Sequence, residues 1–101
     1  MNYKIGDIVR SKAGHDVGYV YIVIAADDMY CFVANGKTRF IDMPKKKKQK
    51  HLELIGQIEE SLSRYILERS HEFSKESRTG DAKLRSLLKA EGYNNSKINK
   101  L

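Results

Sequence analysis

The chain is poor in several residue types, and each shortage excludes something. Among its 101 residues there is one cysteine, Cys31, so no disulfide can form within the chain. There is one proline, Pro44, and no tryptophan. No stretch approaches the roughly 20 consecutive apolar residues of a membrane-spanning helix. The opening Met1-Asn2-Tyr3-Lys4-Ile5-Gly6-Asp7 has no apolar signal-peptide core, and a reducing cytoplasm is the expected setting. Histidines are few and scattered: His15, His51 and His71 lack the paired spacing of a zinc site. The loop bracketed by Gly14 and Gly18 lacks the Gly-Lys-Ser/Thr ending of a phosphate-binding loop. The adjacent acids Asp27-Asp28 and Glu59-Glu60 point apart on a strand or helix, and Asp16 beside His15 has no nucleophile to serve. No catalytic residue, metal site or cofactor site emerges, and an enzyme is not expected. Cys31, inside the apolar run Tyr30-Cys31-Phe32-Val33, reads as a small buried thiol.

What the chain has is positive charge. Nineteen Lys and Arg face 13 Asp and Glu, a formal +6. Residues 1–56 hold ten bases against six acids, and residues 57–101 nine against seven. The dense cluster is Lys45-Lys46-Lys47-Lys48-Gln49-Lys50-His51. Packed ammonium groups repel one another, and a polyanion relieves that repulsion while releasing its own counterions. The same run would also suit a merely solvated loop.

The two halves follow different periods. Residues 1–56 are rich in Val, Ile, Tyr and Phe between Gly, Asp and Asn, the pattern of short strands. Strands are expected at Asp7–Ser11, Tyr19–Ala26, Tyr30–Ala34, Lys37–Ile41 and His51–Ile55. Asn35-Gly36 supplies a hairpin turn, since both residues tolerate positive φ. Five short strands in so few residues predict a small, strongly bent barrel, because closure removes exposed edges. Residues 57–93 place Ile58, Leu62, Tyr65, Ile66 and Phe73 near one helical face. Thr79-Gly80-Asp81 interrupts this, with Asp81 as a cap for a second helix that carries Leu84, Leu87 and Leu88 and ends at Gly92. The expectation is a helical hairpin, followed by a flexible tail over 94–101. The fold class is thus mainly β with an α appendage.

The first 55 residues also carry a resemblance. Ala13-Gly14-His15-Asp16-Val17-Gly18, then Asp27-Asp28-Met29-Tyr30, Asn35-Gly36-Lys37-Thr38-Arg39 and Pro44-Lys45-Lys46-Lys47-Lys48-Gln49-Lys50-His51-Leu52 occur in order. Together they resemble the bacterial KOW-domain RNA-binding proteins related to the eukaryotic large-subunit ribosomal protein L14e family. The resemblance implies an SH3-like barrel and RNA binding, with ribosomal RNA and the ribosome as expected partners. It also implies that the loop carrying Lys12 and His15 and the basic run touch RNA. The candidate RNA-binding residues are therefore Arg10, Lys12, Gly14, His15, Gly18, Lys37, Arg39, Lys45, Lys46, Lys47, Lys48, Lys50 and His51. A monomer is the simplest expectation. Two other readings stay open: an SH3-like protein-interaction module and a transcription-associated KOW module.

Overall fold

A computed structural model describes residues 2–59, 61, 64–65 and 75–93. Five antiparallel strands form one sheet: β1 (Asp7–Ser11), β2 (Val20–Ala26), β3 (Tyr30–Ala34), β4 (Lys45–Lys48) and β5 (Leu52–Gln57). A helix, α1 (Lys75–Ala90), follows. The spatial order is β4-β3-β2-β1-β5.

That order forces the sheet to curl. The two edge strands are consecutive in the chain, joined only by the 3-10 turn Gln49–His51. Laid flat, strands four positions apart would stand about 19 Å from one another. A three-residue turn rising about 2 Å per residue spans far less. The Gln49 N–H donating to the Met29 carbonyl, 2.8 Å, and the Lys12 N–H donating to the His51 carbonyl, 2.8 Å, tie this turn to both sides of the sheet.

Both faces of the sheet are buried, which explains why β2, Val-Tyr-Ile-Val-Ile-Ala-Ala, is apolar without alternation. Ile8, Val20, Ile22, Ile24 and Ala34 point to one face, where they meet Leu84 and Leu88 of α1. Val9, Tyr21, Val23, Cys31 and Val33 point to the other, where they meet Tyr3 and Leu52. Full burial of a leucine contributes about 1.5–3 kcal/mol, so Leu84 and Leu88 fasten α1 to the sheet. The helix shares a core with the strands and is no separate appendage. Its end is sealed by paired bonds: the Gly92 N–H donates to Lys89, 3.0 Å, and the Tyr93 N–H to Leu88, 2.8 Å.

Two expectations are corrected. Thr79-Gly80-Asp81 is no turn between helices: all three residues lie inside α1. Asp81 lies in the interior of α1 and not at its start. Its buried carboxylate accepts the Ile41 N–H at 2.8 Å, and burial pushes its pKa up. Of the first expected helix, Ser61, Arg64 and Tyr65 are helical, and Ile58 lies just after β5. The other positions of its face, Leu62, Ile66 and Phe73, lie outside the described residues, as does the tail 94–101.

The second correction concerns the fourth strand. Lys37–Ile41 forms no strand; it belongs to the connection between β3 and β4. The Asn35 side chain explains this, because its Oδ1 accepts the N–H groups of Lys37, Thr38 and Arg39 at 2.9, 2.8 and 3.1 Å. Donors satisfied locally cannot also serve a ladder. Gly36 sits at φ +75° against α1, where a Cβ would lie 2.1 Å from the Asp81 carbonyl oxygen. Arg85 of α1 donates to the Gly36 carbonyl, so the loop is docked on the helix.

Candidate nucleic-acid interface

The lysine run is itself the fourth strand. Its register against β3 pairs Tyr30 with Lys48, Cys31 with Lys47, Phe32 with Lys46 and Val33 with Lys45. Lysines on an edge strand discourage pairing with another chain. Because side chains alternate across a strand, the run divides into two pairs that face opposite ways.

Lys45 and Lys47 turn toward the core face and meet Asp16. The Lys47 ammonium donates to Asp16 Oδ1 and to the Ala13 carbonyl, each at 2.7 Å. Ser11 Oγ donates to the same oxygen at 2.8 Å, and the Tyr21 hydroxyl to Oδ2 at 2.7 Å. Lys45 Nζ lies 3.9 Å from Oδ2. The side chains of Lys47 and Asp16 are only 8% and 9% exposed. Burial raises the Asp16 pKa, but the hydrogen bonds from Lys47, Tyr21 and Ser11 and the Lys47 charge outweigh it and hold the carboxyl at about 2. Burial, followed by the bond to Asp16, pushes the Tyr21 hydroxyl up.

This cluster builds the loop between β1 and β2. Gly14 takes φ +89° beside it, where a Cβ would stand 3.4 Å from Lys47 Nζ. The loop closes on itself through Gly18 N–H to Ser11, 2.9 Å, and Tyr19 N–H to Asp16, 2.9 Å. Lys47, a candidate RNA contact by sequence, thus supports the loop from inside, with its ammonium engaged out of solvent.

Lys46 and Lys48 turn the other way. Lys46 Nζ stands 4.4 Å from the centre of the Tyr30 ring, a cation–π contact that holds the ammonium near an aromatic face. Lys48 joins Lys12 and Lys50 along a groove of about 710 Å³. That volume falls in the range of sites that hold a small organic group, about 300–1,000 Å³. Tyr3, Met29, Leu52 and Leu54 supply its apolar part, and Asp28, Gln49 and Glu53 complete the wall. The Lys12–His51 backbone bond brings the first loop to this groove from a distant part of the sequence.

The other candidates separate from this group. Arg10 is half-buried and engaged, its Nη2 donating to Glu53 Oε1 at 2.5 Å and its Nε at 3.1 Å. It neutralises an acid at the groove wall. His15 and Gly14 are exposed at the loop tip, while Gly18 is half-buried. His51 is half-buried in the 3-10 turn. Lys37 and Arg39 are exposed on the loop docked against α1 and do not line the groove. Burial pushes the Cys31 thiol up to about 11, so it stays protonated at neutral pH.

Asp16, Asp81 and Tyr3 were not singled out for these roles by sequence. Each acts through at least one partner distant in the chain; the Tyr3 hydroxyl donates to the Leu52 carbonyl at 3.1 Å, for example. The local sign for Asp16 is an acid between two glycines of a strand connection, too common to stand out. Among the described residues no helix is long and apolar enough to cross a membrane. The sequence matches no protein-family model and no curated protein.

Proposed function

We propose that this chain binds structured RNA, ribosomal RNA foremost, as an SH3-like barrel of the KOW type that works in association with the ribosome. The observation that supports this reading best is the convergence of Lys12, Lys48 and Lys50 on one groove from two separate segments. Three cations that could have been scattered are presented together, while the inward Lys45 and Lys47 of the same run face Asp16. The Arg10–Glu53 pair removes one negative charge from the wall of that groove. Phosphate contacts of this kind give affinity and position without reading sequence. The exposed Met29 and Leu54 would serve a peptide under the protein-interaction reading. Salt separates the two, since only a polyanion releases counterions.

The test is fluorescence anisotropy with a labelled ribosomal RNA hairpin over a range of salt. Changing Lys12, Lys48 and Lys50 together to Gln is expected to weaken binding and to reduce the log–log salt slope by about 2–3, at roughly 0.7–0.9 for each phosphate no longer neutralised. An unchanged slope and affinity would remove the basis for an RNA interface at this groove.

A further inference from the structure

The groove combines two chemistries that a fully paired RNA helix cannot use at once. Its apolar part is open: Met29 is 60% exposed and Leu54 43%, with Tyr3 and Leu52 buried beside them. Its cationic part is Lys12, Lys48 and Lys50. In an A-form helix the base faces are stacked away, leaving phosphates, hydroxyls and groove edges outside. Such a helix would satisfy the lysines and leave Met29 and Leu54 against polar sugar edges. A nucleotide whose base has left the stack offers an apolar face and an anion a short distance apart.

We infer that the groove receives one unpaired nucleotide of the bound RNA, with its base lying on Met29 and Leu54 and the flanking phosphates on Lys12, Lys48 and Lys50. This rests on the RNA-binding reading above and specifies the RNA element that reading leaves open, a bulge or loop nucleotide. Met29 is suited to the task because a flexible, polarizable thioether adapts to a flat partner. The groove also contains an acceptor among its donors. Asp28 is exposed on the β2–β3 turn beside Met29, and a carboxylate there matches the exocyclic amino group of adenine or cytosine. Guanine carries such an amino group as well and uracil does not, so the site disfavours uracil.

The experiment compares two synthetic RNA hairpins of one sequence, one with a single bulged adenosine and one fully paired, titrated into the full chain at about 100 mM salt. The bulged hairpin is expected to bind about tenfold more tightly, the effect of covering the exposed apolar surface of Met29 and Leu54 with a base. A Met29→Ser, Leu54→Ser double variant, checked for an unchanged circular dichroism spectrum and melting temperature, is expected to lose most of that preference. Its salt slope should stay the same, because the lysines remain. Replacing the bulged adenosine by 2-aminopurine gives a second readout, a fluorescence change on binding that the double variant abolishes. Equal affinity for the two hairpins, or a preference that survives in the double variant, overturns the inference while leaving RNA binding intact. Absence of binding to either hairpin, or salt-independent binding of both, overturns the RNA-binding reading as well.

Discussion

Replacing Lys47 with methionine tests whether adjacent lysines of one run divide between fold and surface. Methionine keeps much of the apolar stem and deletes the ammonium that donates to Asp16 Oδ1 and to the Ala13 carbonyl at 2.7 Å each. Removing one partner of a buried ion pair costs about 3–5 kcal/mol, because the other charge is left desolvated. Ser11 and Tyr21 still donate to Asp16, and Lys45 remains within 3.9 Å, so the lower end applies, about 3 kcal/mol. For a domain of this size each kcal/mol moves the midpoint by about 4–8 °C, giving a Tm lowered by roughly 12–24 °C. Thermal unfolding followed by circular dichroism reads this directly. Lys48→Gln is the control: its side chain faces solvent, and its effect is expected within about 0.5 kcal/mol. Adding Asp16→Asn to Lys47→Met should recover part of the loss, because the two side chains interact directly and their effects are not additive. If Lys47→Met and Lys48→Gln melt within about 3 °C of one another, the division of the run is wrong.

Two further outcomes follow from the same structure. The Asp16 carboxyl is held at about 2 in the folded chain against an ordinary 3.8, so its contribution, about 2 kcal/mol, is present above the unfolded value and fades between about pH 5 and pH 2. Urea midpoints across that range should fall less steeply for Asp16→Asn than for the parent, and parallel curves would contradict the assignment. Gly36→Ala is expected to cost more than about 2 kcal/mol, since it adds left-handed backbone strain to a Cβ 2.1 Å from the Asp81 carbonyl oxygen. Gly92→Ala has the same kind of φ but nothing within 4 Å of the added carbon, so equal destabilisation of the two variants would show that the approach to α1 is immaterial.

Local chemistry determined much of this protein from its sequence. The strands at Asp7–Ser11 and Tyr30–Ala34 lie where β-branched and aromatic residues run between turn formers, and β2 lies within the expected Tyr19–Ala26. The end of α1 at Gly92 was legible for the same reason, since a C-terminal cap is built from neighbours. The charge of Lys12, Lys48 and Lys50 was equally plain. Tertiary structure decided the rest. Lysine has little preference for strands, so Lys45–Lys48 becomes one only because β3 offers an open edge and Asp16 neutralises the inward side chains. Thr79-Gly80-Asp81 has the composition of a break, yet the helix runs through it, with Leu84 and Leu88 packed on the sheet and Asp81 bonded to Ile41, 40 residues away. The separation of Lys47 from Lys48 is of the same kind. Charge belongs to a residue, but whether that charge meets a carboxylate inside or a polyanion outside depends on the face of the strand, and that face was set by register with a partner strand.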